Sequence, residues 1–366
     1  MADLDPLPLP AGVTQRMLPG VNGMDVHVLE AGAPTAPALL LLHGFPELAF
    51  SWRKVMPALA ELGFHVIAPD QRGYGRTTGW SSDYETDLFQ SRMPNLVRDA
   101  LGVLRRLGHD HAAHVIGHDF GAAVAGWAGL LRPDIFQTVT VMSAPFNPPP
   151  PVGAEDPAPD DVAIALASLE RPRKHYQHYY SGPAANLDMM SAPYGLDGFI
   201  RRYFHMKSAD WADNQPHKLE GWTAAALAQM PTYYVMDAAH SMPEAVADAM
   251  PDEPNAWLND DELAVYASEY GRTGFQGGLN WYRCRFEAHY QRELALFGGR
   301  KIDAPMAFIA GAQDWGVRQT PGALEAMEAN ASTDYRGSVL IDGAGHWIQQ
   351  EQPEPFIAAW GQAMGV

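Results

Sequence analysis

Short, wholly apolar runs alternate along the first third of the chain with stretches of helical spacing. Asn22-Gly23 sits between two extended segments and predicts a hairpin turn, with residues 24–30 as the strand that follows. Residues 38–42 form a continuous apolar run that stops at His43-Gly44, the pattern of a strand buried on both faces. Residues 64–68, broken only by His65 and closed by Pro69-Asp70, predict another strand. So do residues 113–116, closed by Gly117, and residues 139–142, closed by Ser143-Ala144-Pro145. Helical periodicity fills the gaps at 52–62 and 93–107. Strands alternating with helices predict an α/β fold with a mostly parallel sheet flanked by helices.

The pattern then changes. Residues 148–151 are four consecutive prolines, and an acidic, proline-containing stretch runs on to Asp161, which reads as a linker. Residues 162–286 are rich in Tyr, Trp, Met and Ala at helical spacing, with no clear buried strand. Strand pattern resumes at 306–310, followed by Gly311-Ala312-Gln313-Asp314, and again at 338–341, leading to Gly343-Ala344-Gly345-His346. The expected organisation is a first core part at 1–146, a helical insertion at 147–285 and a second core part at 286–366. Polar residues fall just beyond one strand after another. Parallel sheets bind their ligands at those carboxyl ends.

Composition narrows the partners. The net charge of −18 argues against nucleic acid and anionic membranes, both polyanions. No apolar run approaches the length of a membrane span. The first 20 residues lack the basic start and apolar run of a signal peptide, and the single cysteine, Cys284, allows no internal disulfide. The expectation is a cytoplasmic protein with no membrane contact, and the surface of the insertion is a candidate homodimer contact. No group of His, Cys and carboxylates has metal-ligand spacing, so neither a metal nor another cofactor is expected.

The sharpest chemical signal is Gly117-His118-Asp119-Phe120-Gly121, between a strand and a helix starting near Ala122. Small flanking residues in that context permit a nucleophile elbow, which lifts the central side chain clear of the backbone. Here that side chain is a carboxylate; Asp is also a favoured helix N-cap. A carboxylate is already deprotonated at neutral pH and attacks saturated carbon to give an ester. Hydrolysing the ester needs a base. His346 is the candidate, with Asp314 beyond the preceding strand to orient it. The backbone N–H groups of Phe45 and Phe120 are candidates for an oxyanion hole. His43, Pro46, Trp315 and Trp347 flank these positions and suggest an apolar pocket.

The set His43-Gly44-Phe45-Pro46-Glu47, Asp70-Gln71-Arg72-Gly73-Tyr74-Gly75, Gly117-His118-Asp119-Phe120-Gly121 and Gly345-His346 resembles the epoxide hydrolases of the α/β-hydrolase superfamily, over nearly the whole chain. The resemblance implies the α/β-hydrolase fold with an inserted helical cap, an Asp nucleophile, and the chain order nucleophile, acid, histidine. It also implies two cap tyrosines that protonate the leaving oxygen. Leu279-Asn280-Trp281-Tyr282-Arg283 is similar to the motif carrying one, which gives Tyr282. Residues 174–180 resemble the segment carrying the other, with Tyr176 the best match and Tyr179 and Tyr180 as alternatives.

Two other readings use the same residues. A hydrolytic dehalogenase would share the triad, but haloalkane dehalogenases usually carry a Trp after the nucleophile and often an Asn after the His-Gly pair, where this chain has Phe120 and Phe45. Fluoroacetate dehalogenases typically hold the substrate carboxylate with arginines where this chain has Phe120 and Ala123. Phe120 also departs from the Trp common in epoxide hydrolases. A catalytically idle ligand-binding module is the third reading; the complete Asp, His and Asp set argues against it. The expected partners are a small apolar epoxide and water, and the expected product is a vicinal diol.

Overall fold

The computed structural model describes residues 4–149, 152 and 161–366, so most of the expected linker lies outside the described residues. Among the described residues ten strands follow in chain order: β1 (Val13–Val21), β2 (Met24–Ala31), β3 (Ala38–Leu42), β4 (His65–Pro69), β5 (His114–His118), β6 (Val139–Met142), β7 (Arg173–His175), β8 (Val235–Asp237), β9 (Met306–Gly311) and β10 (Tyr335–Ile341). Eight of them form one sheet in the order β1-β2-β4-β3-β5-β6-β9-β10. β2 runs antiparallel to both neighbours, and every pairing from β4 to β10 is parallel. This is the expected α/β-hydrolase architecture.

The hairpin joining β1 and β2 turns on Asn22 and Gly23, at φ 47° and 82°. Both values are positive, as the tight turn that matches strand twist requires. β3, β4 and β5 are buried along their whole length, which explains the apolar run of β3 and the apolar centres of β4 and β5. The predicted strand edges move by one or two residues, and the helix expected at 52–62 is split into a 3-10 turn, Ala49–Trp52, and a short helix, Met56–Glu61.

From β3 the chain crosses first to β4 on one side and then to β5 on the other. The loops leaving β3 and β5 therefore part over a crevice, the usual ligand position in such sheets. They carry Phe45 and Asp119.

Between β6 and β9 lies the insertion, mostly helical. Beside the helices, where no clear buried strand was expected, two partly buried three-residue strands, β7 and β8, pair antiparallel. Three residues each is too short for a period of two to register in the sequence. The insertion is bonded to the core loops beneath it. Trp281 donates to the Arg72 carbonyl at 3.0 Å, Tyr270 donates to the Glu47 carbonyl at 3.1 Å, and Arg53 pairs with Glu262 at 2.7 Å. Gly277 meets Gly73 so closely that a Cβ on either would strike the other's backbone. That contact lets the helix Gln276–Phe286 lie directly on the core.

Candidate active site

Asp119 stands between β5 and the helix Phe120–Leu131 with φ 52° and ψ −118°. A non-glycine residue in this region is strained by about 1–3 kcal/mol and persists only where its surroundings enforce it. Two glycines do so: a Cβ on Gly117 would collide with the Gly121 carbonyl, and one on Gly121 with the Leu42 carbonyl. The turn leaves the carboxylate free of the helix, since its side chain makes no cap hydrogen bond.

Instead, Oδ1 accepts the Phe45 N–H at 2.9 Å, and Oδ2 lies 3.5 Å from His346 Nε2. The Phe120 N–H opens the helix, where first-turn donors have no intrahelical acceptor. Burial pushes the Asp119 carboxyl up, but His346, Lys207 and His118 together hold it well below the ordinary carboxylate range. It is an anion at neutral pH.

His346 lies between two carboxylates. Its Nδ1 faces Asp314, at 3.2 Å from Oδ1 and 3.3 Å from Oδ2, which leaves Nε2 directed at Asp119. Nε2 is buried and has no hydrogen-bond partner among the described residues. Asp314 is fixed by the Gly316 N–H at 2.7 Å; burial works against its ionisation, and His346, Ser143 and that N–H overcome it.

The tyrosines face these groups from the insertion. The Tyr282 ring packs edge-on against Phe120 and Phe45, with centroids at 5.1 and 5.6 Å, and lies 6.0 Å from the Tyr176 ring. Among the described residues the Tyr282 hydroxyl has no hydrogen-bond partner. The Tyr176 hydroxyl has the amide of Gln319 at 3.3 Å and that of Gln177 at 3.1 Å. Burial, and then the Asp119 charge, raise both phenols, so they remain proton donors. The alternatives are engaged elsewhere: Tyr179 donates to Asp188 at 2.8 Å and Tyr180 donates to the Tyr203 hydroxyl at 3.2 Å.

The expected pocket residues fare differently. His43 is fully buried, with Nε2 accepting the Gln71 N–H and Nδ1 donating to the Gly44 carbonyl, so no polar atom of it is left for a ligand. Pro46 follows a cis peptide bond. Trp347 stacks on Phe204 at 4.2 Å and donates to its carbonyl, and Trp315 packs against His217.

A family model described as the alpha/beta hydrolase fold matches residues 37–173. Epoxide hydrolase A of Mycobacterium tuberculosis is 34% identical, over 95% of this chain and 96% of that protein. The chain belongs to the epoxide hydrolase family. An epoxide hydrolase of Caballeronia sordidicola is 31% identical over 90% of this chain and 87% of its own. The solved structure of an epoxide hydrolase from an endophytic Streptomyces superposes with a TM-score of 0.79, at 29% identity, over 97% of this chain and 96% of that one.

In this epoxide hydrolase the structure adds supports that the sequence reading passed over. Ser143, just beyond β6 at φ 71°, sets its hydroxyl 2.8 Å from His346 Nδ1. Its signal was its place after a strand, the same place that marked Asp314 and His346. His118 bridges the Glu47 carboxylate, at 2.5 Å, and the His346 carbonyl, at 2.7 Å. Both ring nitrogens face acceptors, which requires imidazolium; burial lowers its pKa, but Glu47 raises it further. Glu351 accepts the N–H groups of Gly345, Trp347 and Ala209 at 2.9, 2.8 and 2.8 Å. One carboxyl group, pushed up to about 7 by burial against the pull of those three N–H groups, thus binds both flanks of His346 and the insertion.

Proposed function

We propose that the protein hydrolyses epoxides to vicinal diols in two steps through an ester on Asp119. Tyr282 and Tyr176 donate hydrogen bonds to the epoxide oxygen while Asp119 attacks a ring carbon. A carbon–oxygen bond to the carboxylate forms, the ring carbon–oxygen bond breaks, and the oxygen takes a tyrosine proton. His346, oriented by Asp314, then accepts a proton from water, which adds to the ester carbonyl of Asp119. The Phe45 and Phe120 N–H groups hold the oxyanion. Collapse passes the His346 proton to the departing alkoxide, frees the diol and returns Asp119 to its anion, whose carboxyl proton restores the tyrosine.

The observation that carries this reading is one strained, ionised carboxylate between a backbone donor at 2.9 Å and an unpartnered imidazole nitrogen at 3.5 Å, with the Tyr282 ring packed on Phe45 and Phe120, which flank it. Phe45, Phe120 and the edge-packed tyrosines make the surroundings apolar, which favours aryl or alkyl epoxides over polar ones. The test is diol formation from a panel of such epoxides, with halide release from matched haloalkanes and haloacids run in parallel. Diol without halide is expected. Halide without diol would replace this reading with a dehalogenase on the same triad.

A further inference from the structure

Ser143 sits one residue beyond β6, fully buried, at φ 71°. Backbone hydrogen bonds hold it there. Its N–H donates to the Ile309 carbonyl at 3.2 Å, and the Ala144 N–H closes a three-residue turn on the Met142 carbonyl at 2.9 Å. A three-residue turn with positive φ at its centre is rare and strained, and such strain collects at working sites. What this turn achieves is the aim of one hydroxyl. Ser143 Oγ lies 2.8 Å from His346 Nδ1, closer than either oxygen of Asp314, at 3.2 and 3.3 Å. Gly316 leaves the room for it: a Cβ there would stand 2.6 Å from Ser143 Oγ and 2.8 Å from Asp314 Oδ1. Ser143 also hydrogen-bonds Asp314 and so helps to keep that carboxyl ionised.

A hydroxyl can donate to a ring nitrogen or accept from it, and the choice fixes the tautomer. Were Ser143 to donate to Nδ1, the proton of neutral His346 would sit on Nε2, and the nitrogen facing Asp119 could take none from water. The Asp314 anion only accepts, so the Ser143 proton turns to it, and Oγ is left to accept Nδ1–H. We propose that Ser143 is a positioning residue of ester hydrolysis, whose hydroxyl joins Asp314 to His346 and keeps Nε2 unprotonated until water arrives. As Nε2 takes the water proton the ring gains a charge, and Nδ1–H donates more strongly to Oγ and Asp314. Ring opening asks no proton of His346, so it gains nothing from this hydroxyl. The inference rests on the ester mechanism above.

The experiment is single-turnover kinetics of the full chain with an epoxide, reading the adduct mass and the product diol, for wild type, Ser143→Gly, Ser143→Ala and Ser143→Thr. Glycine takes a positive φ without strain and alanine does not, yet both lack the hydroxyl. Both are expected to form the ester at the wild-type rate and to hydrolyse it about tenfold more slowly, the effect of one hydrogen bond to a charged group, so that adduct accumulates. Ser143→Thr strains the turn further but keeps the hydroxyl, and should hydrolyse the ester faster than either. Wild-type hydrolysis in Ser143→Gly overturns the proposal, since the turn and not the hydroxyl would then be what matters. So does equal slowing of both steps in Ser143→Gly, or a folded Ser143→Thr no faster than Ser143→Ala. If Ser143→Thr does not fold, the Gly and Ala variants decide alone. His346→Gln separates the two levels. Absence of an adduct there with any epoxide or haloalkane removes the ester, and this inference with it; an adduct there beside unslowed hydrolysis in Ser143→Gly removes this inference alone.

Discussion

Asp119 and His346 divide one reaction between them, so their removal should fail in different ways. Asp119→Ala takes away the nucleophile, and turnover should vanish with the fold intact, since neighbouring glycines rather than the Asp119 side chain set the turn. His346→Gln leaves the nucleophile and removes the base. It should accumulate an enzyme adduct heavier by the mass of one substrate, visible by mass spectrometry; full turnover in either variant would sink the assignment. Tyr282→Phe keeps the ring packing on Phe120 and Phe45 and deletes only the free hydroxyl. Loss of a positioned acid should slow ring opening by about a hundredfold. The same change at Tyr176 should cost less, because its hydroxyl already has Gln319 and Gln177 as neighbours. The placement of Asp119 and His346 was legible in the sequence because each lies in the loop beyond a strand and has a chemistry that a turn does not need. Ser143 occupies an equivalent place but is an ordinary turn residue, and Glu351 ties together segments far apart in the chain. Sequence spacing carries no sign of such ties.

At the scale of elements, the site draws on the core loops and on the insertion, and its geometry depends on how the helix Gln276–Phe286 lies on the core. Gly277 against Gly73 fixes that distance, and Gly278 lies against Tyr74 and Phe45. Gly277→Ala should push the helix outward, carrying Tyr282 away from Asp119 while leaving Asp119, His346 and Asp314 in place. Overpacking of this kind costs about 1–3 kcal/mol. The expected result is a lower melting temperature and slower ring opening, with the rate of ester hydrolysis unchanged. Equal loss in both steps would show that the helix also orders the triad. Glu351 makes the opposite connection, from the core to the insertion. Glu351→Gln replaces one of two acceptor oxygens facing three N–H groups with a donor, and loosens the His346 loop. It should lower kcat more than it changes KM and, unlike Gly277→Ala, should slow the second step. The strands that position these loops were readable as apolar runs. The docking of the insertion was not, because two glycines in register across distant segments look like any other pair of glycines.

Across the whole molecule, the buried charges set how stability follows pH. Glu47, Asp70, Asp119 and Asp314 are each opposed by burial and yet held below their ordinary values by neighbouring imidazoles, ammonium or backbone donors. Their folded-state pKa lies under the unfolded one, so the unfolded chain binds more protons in acid. The stability they contribute is complete above the ordinary range of 3.8–4.5 and is lost as pH falls below it toward their folded values. His118 works the other way. Its pKa is raised by Glu47 against burial, so its contribution is complete below the ordinary value of 6.5 and is lost as pH climbs through the folded value. Glu351, pushed up to about 7 by burial, adds to the second trend: its contribution is complete below 4.5 and is lost as pH rises through 7. The trends leave a stability maximum between the carboxylate range and the titration of His118. Urea midpoints measured from pH 3 to pH 9 should trace that dome, and Glu47→Gln should flatten both sides, since one substitution removes a depressed carboxylate and the partner that keeps His118 charged. An alkaline limb that survives Glu47→Gln intact would mean that His118 is not the group responsible for it. Because His118 holds the His346 carbonyl, the same variant should lose ester hydrolysis on the alkaline side before it loses the fold.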